Sequence, residues 1–83
     1  MDQITRTPKQ LGTLLRHRRR EMGLSQEELA SRIHLRQATL SALENSAANS
    51  RLSTLLDILA SLDLELVIRP RTKGSPREVE ELF

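Results

Sequence analysis

The chain contains no cysteine, tryptophan or tyrosine, and its one phenylalanine is the last of 83 residues. Without cysteine there is no disulfide framework and no thiolate metal site, a composition that suits a reducing compartment. Without aromatic side chains there is no platform on which the bases of a single strand could stack. No apolar run is long enough to cross a bilayer, and the polar start MDQITRTPK lacks the apolar stretch of a secretory signal. These absences predict a soluble, cytoplasmic protein. The length allows one small domain whose core alone is marginally stable, so support from a partner chain is expected.

Charge is present but unevenly placed. Residues 1–56 carry nine Lys/Arg against five Asp/Glu, a balance of +4, whereas residues 57–83 carry four against six, a balance of −2. The basic part suits a polyanion and the acidic part a different surface.

Residues 1–6 show no periodicity and read as a flexible arm. Thr7 and Pro8 make a helix start, because the hydroxyl accepts from an early N–H and proline has no N–H to leave orphaned. Leu11, Leu14, Leu15 and Met22 then share one helical stripe, and Gly23 supplies a left-handed cap. Ser25 and Glu28 have the spacing of a capping box, followed by Leu29 and Ile33 on one face. His34, Leu35 and Arg36 leave only a tight turn before helical spacing resumes at Gln37, with Leu40 and Leu43 inward. Two helices so closely joined must cross at a steep angle.

The segment NSAANSR, residues 45–51, reads as a loop. Leu52, Leu55, Leu56, Leu59 and Leu62 repeat at helical spacing and predict a fourth helix that closes the core. LELVI follows, with Leu64, Leu66 and Ile68 alternating with Glu65, Val67 and Arg69 until Pro70. The alternation predicts a strand, whose backbone groups need a neighbour that no other run in this chain supplies. The simplest partner is the same strand of a second copy, paired across a two-fold axis through Leu64, Leu66, Val67 and Ile68. The alternative is that LELVI extends the fourth helix.

Residues 70–83 are expected to form a flexible tail. Ser75 to Glu78 again have capping-box spacing, and Val79, Leu82 and Phe83 fall on one side of the turn that follows. They would suit a partner's groove, although Phe83 at the terminus can equally be frayed. Domain organisation is thus an arm, one unit over residues 7–69, and a tail.

A steeply crossed helix pair with a minimal turn is the helix-turn-helix shape, whose second helix enters the DNA major groove. Gln37 stands where base edges would be nearest, and its amide can bond adenine N6 and N7. Ala38 is small enough to lie against a thymine methyl, and Thr39 and Ser41 can bond bases or phosphates. Arg36 would anchor on phosphate, read guanine, or simply start the helix. In the run Arg16 to Arg20, Arg18 is placed on the phosphate backbone, against the alternative of a solvated face. His17 and His34 do not suggest a metal site, no serine has a His/Asp partnership, and no glycine-rich loop would cradle a phosphate. Neither an enzyme nor a cofactor is expected.

LSQEELA, the turn and QATLSALEN together resemble the Cro/C1-type (XRE) helix-turn-helix family over about residues 8–62. RQATLSALEN, LSTLLDILASL and LDLELVI, in that order, are most similar to the HipB-like antitoxins. The resemblance implies an all-α helix-turn-helix bundle with one short strand paired across a homodimer. It also implies that Gln26 contacts a phosphate and braces Gln37, and that Arg19 pairs with Glu44. Two positions depart from the family pattern: His34 stands where glycine is usual, and Arg51 stands where a Ser or Thr cap is usual, which leaves that cap to Ser50 or Asn49. The function implied is an autoregulating repressor, bound as a dimer to a palindromic operator on the nucleoid, and antitoxin to a HipA-type kinase toxin. The alternatives are a phage-type repressor or restriction-modification controller without a toxin, and an adaptor that does not bind DNA.

Overall fold

A computed structural model of the protein describes residues 2–71, which form four helices: α1 (Pro8–Glu21), α2 (Gln26–Arg32), α3 (Gln37–Asn45) and α4 (Leu52–Ser61). The helix starts follow from local chemistry. Thr7 accepts from the Gln10 N–H at 3.1 Å with Pro8 in the first turn of α1. At α2 the capping box is complete: Ser25 Oγ accepts from the Glu28 N–H at 3.0 Å, and Glu28 Oε1 accepts from the Ser25 N–H at 3.1 Å. Glu28 consequently sits below the ordinary glutamate pKa, chiefly through the Ser25 backbone hydrogen bond, then the Ser25 side chain.

Three helices end in the same way, in the paired reverse hydrogen bonds of the Schellman motif. After α1, Gly23 N–H donates to the Arg20 carbonyl and Leu24 N–H to the Arg19 carbonyl, with Gly23 at φ 71°. After α2, His34 N–H reaches Ser31 and Leu35 N–H reaches Ala30, with His34 at φ 55°. After α4, Asp63 N–H reaches Ala60 and Leu64 N–H reaches Leu59, with Asp63 at φ 57°. Only the first uses glycine. The other two hold an L-residue in the left-handed region, which costs roughly 1–2 kcal/mol and is offset by the packing of the flanking Leu35 and Leu64.

α1 packs on α3, and α2 packs on both α3 and α4. Leu15, Leu29, Leu40, Ile58 and Leu62 are completely buried at the centre, with Leu24, Ala30, Leu43, Ala47 and Leu59 around them. Two expectations about the core are corrected. Met22 is exposed, at the C-cap position just past the last helical residue of α1. On α4 the inward face is Leu55, Ile58, Leu59 and Leu62, while Leu52 (63% exposed) and Leu56 (44%) face outward. The many apolar residues of α4 make more than one helical stripe, and the position of α2 selects the one that includes Ile58.

The strand expected from LELVI requires a second copy for its ladder. Residues 64–71 form neither helix nor strand in the single chain, and the helical alternative is closed by the cap at Asp63. Leu64 packs on the core, whereas Leu66, Val67 and Ile68 are exposed, Ile68 at 92%. A strand is defined by its ladder, and none runs along residues 64–71 within one copy. Neither Ser50 nor Asn49 caps α4: its first turn follows Arg51 and has no side-chain cap. In the arm that precedes α1, the Arg6 N–H donates to Gln10 Oε1 at 2.6 Å, and Asp2 lies 3.6 Å from Arg69 in the segment after α4. The tail residues Val79, Leu82 and Phe83, and the Ser75 to Glu78 box, lie outside the described residues. No helix among the described residues is long and apolar enough to cross a membrane.

Candidate nucleic-acid interface

The His34 turn brings the start of α2 and the length of α3 together. Arg36, Gln37, Ala38 and Thr39 are all exposed at the first turn of α3, and Ser41 is half-exposed one turn on. Arg36 is the N-cap residue, but a guanidinium has no acceptor with which to cap, so the first turn of α3 has no side-chain cap. The opposite face of α3 is fixed in the core by Leu40 and Leu43.

The position of α3 is set from α1. Gly12 lies so close to α3 that a Cβ there would stand 2.6 Å from the Leu43 carbonyl oxygen and 2.7 Å from that of Glu44. Further along α1, Arg19 meets the buried Glu44 carboxylate twice: Nε to Oε2 at 2.7 Å and Nη2 to Oε1 at 2.9 Å. Arg19 Nη1 also donates to the Leu24 carbonyl at 2.7 Å. Gln26 Nε2 completes the network by donating to Glu44 Oε1 at 3.1 Å. Each charge is thereby matched, and among the described residues no buried side-chain polar atom lacks a partner.

This geometry gives two of the residues singled out from sequence partners inside the fold. Gln26 is held by Glu44, at the far end of α3, rather than braced against Gln37 at its start. Arg18 also has a partner within the fold: its Nε donates to the Leu62 carbonyl at 3.0 Å and the side chain is partly buried. An arginine within a basic run looks solvated in sequence, yet a turn of the helix carries it to the end of α4. Arg16 and Arg20 remain exposed, and His17 lies 3.6 Å from Glu21.

Two exposed positions on α3 escape the sequence reading. Ala42 and Asn45 follow Ala38 at intervals of four and three, so they continue the outward face toward the end of the helix. The helical period itself is the signal for them.

A family model described as "Helix-turn-helix", HTH_3, matches residues 15–68. The chain belongs to the HTH_3 helix-turn-helix family. Among its relatives in this family is antitoxin HipB of Escherichia coli strain K12, 36% identical over 75 residues that cover 90% of this chain and 85% of that protein. The HTH_3 fold also aligns with a chain of a HipB variant in complex with an O2 20mer, at TM-score 0.80 and 35% identity, covering 87% of this chain and 100% of that one. A chain of the HipA-HipB-O2-O3 complex aligns at TM-score 0.77, with the same identity and coverage. A mutant of the restriction-modification controller protein C.Esp1396I aligns at TM-score 0.65 and 26% identity, covering 69% of this chain and 76% of that one.

Proposed function

We propose that the protein is a sequence-specific DNA-binding repressor and the antitoxin of a HipA-type toxin-antitoxin system. It is a regulator and not an enzyme. The observation that carries this reading is the exposed, polar first turn of α3, held by the Arg19, Glu44 and Gln26 network, in a chain 36% identical to antitoxin HipB. Solved complexes of HipB with operator DNA, and with HipA and DNA together, support both partners for this chain.

In this reading Gln37 reads a base edge and Ala38 contacts a thymine methyl. Thr39 and Ser41 bond nearby bases or phosphates, and Arg36 with Gln26 meets the backbone. Two copies join through residues 64–68, whose Leu66, Val67 and Ile68 are exposed in the single chain. Pairing them across a two-fold axis would give each strand the ladder it lacks and set two recognition helices about 34 Å apart, one on each half of a palindromic operator. The protein would then act in the cytoplasm, on the nucleoid, repressing its own operon. Val79, Leu82 and Phe83 are the proposed toxin contact.

The restriction-modification controller reading shares the fold at lower identity and over less of the chain. The two readings part in a direct test. Full-length protein is titrated onto a labelled duplex from its own upstream region and onto a scrambled duplex, then mixed with the HipA-type product of a neighbouring gene. Preferential binding to the first duplex together with a stable ternary complex supports the antitoxin. Preferential binding without any protein partner supports the controller, and no preference for either duplex supports the adaptor.

A further inference from the structure

α1 touches the two functional parts of the molecule with two consecutive side chains. Arg19 grips Glu44 at the end of α3, while Arg18, about 100° around the helix, reaches the Leu62 carbonyl at the end of α4. Leu62 is the C-cap residue of α4, so its carbonyl is one of the acceptors that a helix end leaves unpaired, at the negative pole of the helix dipole. A guanidinium from another helix is a suitable partner for it.

The bond falls at a particular place in the chain. Leu62 is followed by Asp63 in the left-handed conformation and by Leu64, whose N–H turns back to Leu59 at 2.8 Å. Beyond Leu64 the chain leaves the core, and Leu66, Val67 and Ile68 become exposed. The direction in which this segment departs is therefore set at its start by this turn, which the Arg18 side chain fastens to α1, while the exposed Asp2–Arg69 contact lies beyond residue 68. The principal packing pairs join α1 to α3, and α2 to α3 and α4, so this bond ties the helix that holds α3 directly to the exit of the terminal segment.

We infer that Arg18 is a positioning residue that sets the spacing between the two DNA half-sites, by fixing the angle at which residues 64–68 leave the bundle. The inference rests on the dimeric repressor reading above. Its scale follows from geometry. With recognition helices about 34 Å apart, each lies about 17 Å from the two-fold axis, and a rotation of about 10° at the exit moves each by about 3 Å. That is close to one base-pair rise of about 3.4 Å. A modest loosening of the exit would thus be enough to blur spacing while leaving each reading head intact.

The test uses the full chain and its Arg18→Met and Arg18→Lys variants. Symmetric duplexes selected by the wild-type protein from a randomised pool are remade with spacers shortened or lengthened by one and two base pairs, and as single half-sites. Binding is measured below the melting temperature of every variant, with dimerisation followed by sedimentation. Wild type is expected to favour its selected spacing at least about tenfold over a one-base-pair change. Arg18→Met is expected to stay dimeric, keep its single half-site affinity within about twofold, and flatten the spacing preference to within about threefold. Arg18→Lys, which keeps a cationic donor, should recover part of the preference. If Arg18→Met does not fold, Arg18→Gln, whose shorter stem removes the reach to Leu62, takes its place.

An unchanged spacing profile in a merely less stable variant would overturn the inference. So would an equal loss on every duplex with a salt slope shallower by about one, which would return Arg18 to a phosphate. A fall of every two-site duplex to the single half-site affinity would make Arg18 a support of dimerisation instead. If wild type selects no symmetric duplex at all, the dimeric repressor reading fails first and the inference fails with it.

Discussion

Arg19 and Glu44 form a two-bond ion pair in the core, with Arg19 contributed by α1 and Glu44 by the second helix of the helix-turn-helix. Burial makes the pair a fixed joint, because neither group can leave without stranding the other charge. Removing one partner, as in Arg19→Ala or Glu44→Ala, should destabilise the fold by about 3–5 kcal/mol, while an apolar pair such as Arg19→Met with Glu44→Leu should lose less than either single change. Urea titration of the four proteins measures the difference directly. Equal losses for the double and single variants would remove the coupling.

Gly12 permits the close approach of α1 to α3 that this joint requires. A methyl group there would meet the main chain of Leu43 and Glu44, which has no rotamer by which to yield. Gly12→Ala should therefore cost about 1–3 kcal/mol, although alanine is the better helix former. Thermal unfolding, read with operator affinity, would show both the lost stability and a displaced α3.

The uncapped start of α3 makes stability and binding separable in sign. Arg36→Asp would supply the missing N-cap and should stabilise the fold by about 0.5–2 kcal/mol. The same change places a negative charge toward DNA and should weaken binding to every sequence. Arg51→Ser, at the uncapped start of α4, should give a similar stabilisation. A binding curve for Arg36→Asp that matches wild type would remove Arg36 from the interface.

Much of this organisation is legible in the sequence, and the parts that are not share a reason. Thr7 with Pro8, Gly23, and Ser25 with Glu28 act through residues a few places away, so their spacing alone reveals them. The outward face of α3 follows from the helical period. By contrast, the role of Gly12 is set by the backbone of α3, that of Arg18 by a carbonyl 44 positions away, and the inward register of α4 by where α2 lies. None of these leaves a local signature. LELVI has the alternation of a strand, but whether it becomes one depends on a second chain, which one sequence cannot display.

His34 occupies the left-handed turn between α2 and α3 without the freedom of glycine. His34→Gly should stabilise the fold by up to about 1 kcal/mol, the difference between the relieved backbone cost and the added entropy of the unfolded chain. Chemical denaturation of the two proteins measures it. A destabilised variant would mean that the histidine side chain contributes packing that outweighs its backbone cost.

The capping box gives α2 a pH dependence of known sign. Because the Ser25 hydrogen bonds hold Glu28 below the usual glutamate pKa, its contribution is present above the unfolded value and is lost as pH falls through the lower folded value. Stability of wild type relative to Glu28→Gln should thus shrink on acidification through that window and be constant near neutrality. An advantage that does not change with pH would show that the charge of Glu28 has no part in the cap.

The most direct test of the central claim is fluorescence anisotropy of wild type and Gln37→Ala on an operator duplex and a scrambled duplex at two salt concentrations. The account predicts tight, salt-dependent binding of wild type to the operator, a loss of about 1–3 kcal/mol for Gln37→Ala on the operator, and little change on the scrambled duplex. Equal losses on both duplexes, or wild-type binding that ignores sequence and salt alike, would contradict it.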